Sequence, residues 1–250
     1  MEKKQIRFLE NISANGYVAL EEIYYDGWEL RFTQGFTGRA NSIQIREEST
    51  IELTQKVEYC EKAYVEHNLP CMFKLTDADR EFISFLEKRG YQTIKPTDVM
   101  ILELKNANTG YDVREVLDGV HFSTTPDDWF ESYFEFENFQ DKKNMELTRK
   151  IHAKVSVDQV YVKVFYKEKV AAVASLAIES GYSLLHNVVV SPEFRGIGLG
   201  KKVCQAAIMK SKEVGASYIY LQVMQNNPIA LDLYGKLGFE KQYTYYYVLK

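Results

Sequence analysis

The chain repeats itself once. Asn41 and Asn187 stand 146 positions apart, and at that offset Asn187-Val188-Val189-Val190 falls on Asn41-Ser42-Ile43-Gln44, Lys202-Val203 on Lys56-Val57 and Leu221 on Leu75 without a gap. After a slip of two residues, Leu233-Tyr234-Gly235-Lys236-Leu237-Gly238-Phe239 aligns with Phe85-Leu86-Glu87-Lys88-Arg89-Gly90-Tyr91. A fixed offset of this kind restricts the fold to two copies of one supersecondary unit. Each copy reads strand, turn, helix, strand, helix, Gly-aromatic, strand. The predicted class is α/β in the α+β sense: two tandem modules, each a mixed, mostly antiparallel sheet flanked by helices.

The copies differ at one loop. Residues 187–200 run Asn-Val-Val-Val-Ser-Pro-Glu-Phe-Arg-Gly-Ile-Gly-Leu-Gly, an apolar strand entering a proline turn and then a glycine-rich loop, with a helix predicted from Lys201 to about Glu213. Glycines abutting a helix start let the backbone close around a ligand with its N–H groups inward, and the helix dipole favours an anion there. The predicted ligand is a pyrophosphate, held by Arg195, Gly196, Ile197, Gly198, Leu199, Gly200 and Lys201. A P-loop would end in Gly-Lys-Ser/Thr, but Gly200 is followed by Lys201-Lys202-Val203; a GxGxxG fingerprint fails because Leu199-Gly200 follows Gly196-Ile197-Gly198. Arg195-x-x-Gly198-x-Gly200 remains, with an ordinary turn and cap as the plain alternative.

That spacing resembles the Arg/Gln-x-x-Gly-x-Gly/Ala loop of the GNAT acyltransferase superfamily, which binds the pyrophosphate of acetyl-CoA. Downstream of a predicted strand at 218–223, the run Gln225-Asn226-Asn227-Pro228-Ile229-Ala230-Leu231-Asp232-Leu233-Tyr234-Gly235-Lys236-Leu237-Gly238-Phe239 is similar to the family's second cofactor segment, Asn-x-x-Ala-x-x-Leu-Tyr-x-x-x-Gly-Phe. The motifs cover about residues 184–239. The resemblance implies two tandem GNAT-like modules and an acetyl-CoA-dependent N-acetyltransferase; a CoA-binding or regulatory module without catalysis is the alternative.

By that resemblance, the strand before the loop bulges away from its neighbour, and Val188, Val189 and Val190 present their backbone to the pantetheine arm, with Val188 N–H as oxyanion donor. Tyr234 matches the tyrosine that many members place beside the thioester sulfur as general acid; a phenol is protonated at neutral pH. Packing is its other reading. His186 is the first candidate base, placed by strand alternation on the face of Val188 and Val190, and equally readable as a structural histidine. Glu179, at the end of the preceding strand, is the alternate base or a solvated turn residue. Asn227 resembles a cofactor-contacting asparagine and also suits a helix cap. In the first copy, Ser49, Glu52, Thr54 and Leu86 replace Arg195, Gly198, Gly200 and Tyr234, so a carboxylate stands where the pyrophosphate would sit.

The predicted domains are 1–105, a degenerate module without the cofactor loop, and 111–250, the catalytic module, separated by Lys105-Asn106-Ala107-Asn108-Thr109-Gly110. Within the second, residues 127–139 and 145–154 read as helices, 160–166 and 170–178 as a hairpin, and 243–249 as the strand closing the sheet. Carboxylates interleaved with aromatics over Asp127–Glu137 suit a cationic small-molecule amine, or simply an amphipathic helix with a solvated face. Gly35-Phe36-Thr37-Gly38-Arg39-Ala40-Asn41-Ser42 reads as a wall of the substrate cleft or as a tight turn. Tyr243-Thr244-Tyr245-Tyr246-Tyr247 reads as an edge strand pairing two copies into a homodimer, or as an internal strand.

A net charge of −4 argues against a nucleic-acid binder. The most apolar run, 170–178, is too short to cross a bilayer, and no signal-peptide core follows Glu2-Lys3-Lys4-Gln5, so the expected location is the cytoplasm. Cys60, Cys71 and Cys204 lie far apart and read as buried thiols, with no metal site.

Overall fold

Period-2 runs rich in Val, Ile, Tyr and Phe become strands, and the 3.6-period segments between them become helices. The computed structural model describes residues 1–107, 110 and 112–250. The first half comprises α1 (Lys3–Asn15), β1 (Glu21–Tyr25), β2 (Trp28–Phe32), β3 (Ile43–Ile45), α2 (Leu53–Glu66), β4 (Met72–Thr76), α3 (Arg80–Lys88) and β5 (Gln92–Glu103). There follow α4 (Val113–Leu117), β6 (Val120–Ser123), α5 (Trp129–Phe136), α6 (Lys142–Lys154), β7 (Asp158–Tyr166), β8 (Lys169–Glu179) and β9 (Tyr182–Val190). The chain ends with α7 (Leu199–Glu213), β10 (Tyr218–Met224), α8 (Pro228–Lys236) and β11 (Glu240–Leu249).

The repeat survives as topology. One copy runs β3-α2-β4-α3-β5 and the other β9-α7-β10-α8-β11, and in both the two strands flanking the first helix are parallel neighbours, β3 with β4 and β9 with β10. Among the described residues, the other registered pairs are antiparallel, which makes the sheet mixed and mostly antiparallel, flanked by helices.

Contacts divide the chain into two units interleaved in sequence. Unit 1 holds Met1–Asp98, Glu146–Val155 and Tyr243–Lys250; unit 2 holds Val99–Met145 and Ser156–Gln242. Two segments read from sequence as parts of the second module therefore belong to unit 1. The helix predicted at 145–154 contributes Ile151, which packs with Tyr17, Ala19 and Ala40. The strand at 243–249 does not close the second sheet: Tyr245–Leu249 of β11 pair with β4, opposite Thr76–Met72, and β5 is the other neighbour. Tyr243, Tyr245 and Val248 are all buried, so both faces of this strand are covered and it is internal, which removes it as a pairing edge. Asn108, Thr109 and Tyr111, part of the predicted boundary, lie outside the described residues.

In unit 1, alternation sends Trp28, Leu30, Phe32, Ile43, Phe73 and Leu75 to one face against Val57, Tyr64 and Leu86 of the helices. The opposite face is buried but polar. Lys74 Nζ lies 2.7 Å from Glu10 Oε2, Tyr243 OH donates to Glu10 Oε1 at 2.7 Å, and Arg31 donates to Tyr17 O at 2.8 Å. Residues 35–42 form a turn organised by Asn41, whose Oδ1 accepts from Thr33 N–H at 2.7 Å and Gly35 N–H at 3.0 Å. A Cβ on Gly38 would lie 2.7 Å from the Tyr247 ring, so this turn is packed tight.

In unit 2, Val160, Val162, Ala172, Ala174, Leu176 and Leu185 face α7, which packs down with Val203, Cys204 and Ala207. The other face carries Tyr161, Val173 and Val189 against Trp129, Phe130 and Phe134 of α5.

Candidate active site

The strand before the glycine loop is irregular on both edges. Against β8, its register jumps: Val189 opposes Val173 and His186 opposes Ser175, leaving Asn187 and Val188 across from Ala174. This is a β-bulge, and Asn187 adopts φ +54°, a left-handed conformation that asparagine tolerates better than other side chains. Against β10, registered pairs run only from Tyr182 to Leu184, opposite Tyr218 to Tyr220. The ladder between the two parallel strands ends there, although β9 runs on to Val190 and β10 to Met224.

The inserted residue reverses the alternation beyond it. Directly opposed residues share a face, so His186 lies with Ser175, Tyr161, Val173 and Val189, not with Val188 and Val190, whose side chains pack on the α7 side. The placement of His186 inferred from simple alternation is corrected accordingly. Asn187 Nδ2 lies 3.3 Å from His186 Nδ1 and donates to Ser175 Oγ at 3.0 Å. With Nδ1 accepting, the neutral ring carries its proton on Nε2. That tautomer works against His186 as a base.

Beyond Val190, the chain turns through Pro192–Phe194 into the loop. Gly196 and Gly198 have φ of +82° and +91°, which L side chains rarely adopt, and a Cβ built on either would meet nothing within 4 Å. Backbone conformation, not crowding within the protein, demands glycine at both positions. Gly200 is different: its Cβ would make ordinary 3.6 Å contacts with Val190 and Leu233, so alanine fits. Leu199 anchors the loop in the core, Ile197 is 53% exposed, and Arg195 Nε donates to Val190 O at 3.3 Å. Among the described residues, no turn, loop or cap hydrogen bond is donated by an amide of residues 195–201, the first being Lys202 N–H to Gly198 O at 3.1 Å. The cradle is open, and Lys201 adds an exposed cation at the helix start.

Tyr234 projects from α8 into the same core, packing on Phe239 at 5.8 Å between ring centroids. Burial, and secondarily the Cys204 thiol, push its phenol well above the ordinary tyrosine range. Asn227 caps α8, its Oδ1 accepting from Ala230 N–H at 3.2 Å. Glu179 is not brought in: it pairs with Tyr182 at the hairpin end of β8, five residues or about 16 Å of strand from Ala174. The bulge, loop and Tyr234 gather in unit 2 without it. On α5, Trp129, Phe130, Phe134 and Phe136 are buried, which corrects the expectation that its aromatics form a cation-binding face. Glu131, Glu135 and Glu137 stay exposed. Although Glu137 is exposed at the surface, neighbouring protein atoms partly desolvate its carboxyl and raise its pKa, and the Arg195 guanidinium opposes the rise.

Sequence reasoning missed what the first copy does with its loop. The Asp26 carboxylate accepts from Thr50 N–H at 3.0 Å, Thr50 Oγ1 at 2.8 Å and Ile51 N–H at 2.9 Å, with Lys56 Nζ at 3.1 Å. Thr50 and Ile51 are the repeat counterparts of Gly196 and Ile197. Glu52, counterpart of Gly198, caps α2 by accepting from Gln55 N–H at 3.1 Å. The amides of Thr50 and Ile51 hold Asp26 far below the usual carboxylate range. The Asp26-Gly27 pair was a readable turn signal; its reach to a loop 24 residues away was not.

From residue 3 to residue 248, the sequence matches the family described as "Probable histone acetyltransferase Rv0428c C-terminal". The chain belongs to this family. It is a GNAT N-acetyltransferase, an enzyme of the acyltransferase class. An N-acetyltransferase of Bacillus subtilis, YobR, itself uncharacterized, is 26% identical over 253 residues, covering 98% of each chain. The [ribosomal protein bS18]-alanine N-acetyltransferase of Escherichia coli K12 is 30% identical over 73 residues, 29% of this chain and 49% of that protein. Among solved structures, a GCN5-related N-acetyltransferase from Kribbella flavida superposes with a TM-score of 0.73 at 15% identity, covering 98% of this chain and 95% of that one. A tandem GNAT protein from the clavulanic acid biosynthesis pathway reaches 0.62 at 13% identity, over 84% and 74%. Among the described residues, this acetyltransferase has no helix long and apolar enough to cross a membrane.

Proposed function

We propose that unit 2 transfers acetyl from acetyl-CoA to an amine by direct attack on the thioester. The observation carrying this reading is the combination of an open, amide-lined loop with a strand whose ladder to β10 ends at Leu184. The pyrophosphate meets the amides of residues 195–201 and the positive end of α7. The pantetheine arm lies as an added strand along Val188, Val189 and Val190. Val188 N–H donates to the carbonyl oxygen as it becomes negative. Tyr234 OH gives its proton to the departing CoA thiolate. The acceptor attacks as free amine; its surplus proton passes to solvent, and solvent returns a proton to the Tyr234 phenolate. Asn227 serves the site indirectly by capping the helix that carries Tyr234.

The acceptor side is the face of α5, where exposed Glu131, Glu135 and Glu137 favour a cationic small molecule. The bS18-alanine acetyltransferases among the relatives favour a second acceptor class, a protein N-terminus. Thiol release from acetyl-CoA, measured with polyamines, aryl amines and N-terminal alanine peptides, separates them. Cofactor binding without thiol release on any of the panel refutes the enzymatic mechanism in favour of a CoA-binding module.

A further inference from the structure

We propose that Trp129 is a positioning residue that holds the bulge of β9 in its working geometry from the acceptor helix. The inference rests on the reading of Val188 N–H as the carbonyl donor. Ala174 is the one residue of β8, between Ala172 and Glu179, that has no registered partner in β9, and its carbonyl accepts from Trp129 Nε1–H at 3.0 Å. Trp129 is 1% exposed. The indole thus supplies a bond from α5 at the place where the β8–β9 ladder skips a residue. A second tie comes from inside the ladder, where Asn187 Nδ2 donates to Ser175 Oγ and Ser175 Oγ donates to His186 O at 3.4 Å. One tie fastens β8 to α5, the other fastens the bulged residue to β8.

Two registers compete for such a strand. A regular ladder through Asn187 would put Val189 and His186 on opposite faces, where the bulge leaves them on one, and would aim a different amide at the carbonyl. A buried carbonyl that loses its donor is costly, so the Trp129 bond favours the bulged register over its neighbour. Trp129 also stacks on Tyr133 at 5.0 Å and 15°, one turn along α5. Movement of the acceptor helix is thereby coupled to the amide that meets the thioester, with Trp129 itself touching neither substrate.

The test compares Trp129→Phe, which keeps an aromatic ring and loses the N–H, with Phe130→Leu, which trims the same buried cluster and leaves the bond. Thiol release from acetyl-CoA with the best amine of the panel is expected to fall at least about tenfold in W129F, short of the ~10²–10³ lost with an outright oxyanion donor, while the CoA Kd stays within about threefold. F130L should lower Tm and leave kcat within about twofold. Equal losses in the two variants, or an unchanged W129F rate, overturn the proposal. Hydrogen exchange of the peptide spanning 185–190 reads the brace without any turnover: it should accelerate in W129F and not in F130L. If wild-type protein turns over nothing, the acetyl-transfer reading fails, and exchange alone decides whether the brace stands. Should W129F fail to fold, Trp129→Tyr, which also lacks the indole N–H, gives the same two readouts.

Discussion

In the proposed mechanism, Tyr234 shows how burial keeps a weak acid protonated. Its phenol is enclosed and stands near the Cys204 thiol, and both effects raise its pKa, so the proton is in place across the neutral range. Removing the hydroxyl should therefore cost rate more than binding. Tyr234→Phe is expected to lower kcat by about 10²–10⁴-fold with the CoA Kd within about twofold, measured by thiol release and calorimetry. The raised pKa also has a direction in pH. An acid must be protonated to act, so loss of activity from ionisation of Tyr234 should begin only above the ordinary tyrosine value of about 10. An alkaline limb below that, present in the wild type and absent from Tyr234→Phe, would show that burial does not hold the phenol protonated. The place of Tyr234 on a helix was legible because its motif surrounds it. His186 was legible as a strand residue and misplaced by face, because one inserted residue reverses parity and leaves no mark in composition.

At the scale of elements, the strand, loop and helix of the proposed cofactor site were readable from Asn187 to Glu213, since positive φ at Gly196 and Gly198 and a helix start beside them are local properties. The contrast between the two loops yields paired tests. Gly198→Glu copies the first module; it should leave the fold intact, lower Tm by a few degrees for the strain of a side chain at positive φ, and abolish protection by acetyl-CoA against thermal unfolding. In the first loop, Asp26 supplies the anion from within. Its pKa is depressed by the amides of Ile51 and Thr50, so its contribution is present above the unfolded value of about 3.9 and is lost as pH falls through the folded value. Asp26→Asn should thus be less stable than wild type at neutral pH, with the gap in Tm narrowing as the pH is lowered below about 4. A constant gap would mean that the carboxylate's charge is not what the loop uses. Asp26 was invisible as an anion donor, because contact between a hairpin turn and a loop 24 residues away has no signature in spacing.

The division of the whole molecule was the least legible feature. Element order predicts two successive modules, yet unit 1 takes Glu146–Val155 and Tyr243–Lys250 from the second half of the chain. Local periodicity identifies these segments as helix and strand, but says nothing about which sheet receives them. Deleting Tyr243–Lys250 removes an internal strand beside β4 and takes the Tyr243 hydroxyl from the buried Lys74–Glu10 pair. The truncated chain should lose the cooperative unfolding transition of unit 1, as read by calorimetry. Glu10→Ala, which strands the Lys74 ammonium, should cost about 3–5 kcal/mol in chemical denaturation. A fully cooperative truncated protein would show that β11 is dispensable to unit 1.

The destination of β11 bears on how the protein is made. Residues Tyr243–Lys250 are made more than a hundred residues after the sheet segment in which they fill an inner place, so the half synthesised earlier must wait, one strand short, until they emerge. A nascent chain stalled anywhere before Tyr243 exposes the raw edge of β4, and a gene cut between its two halves would leave the first product without Glu146–Val155 and Tyr243–Lys250.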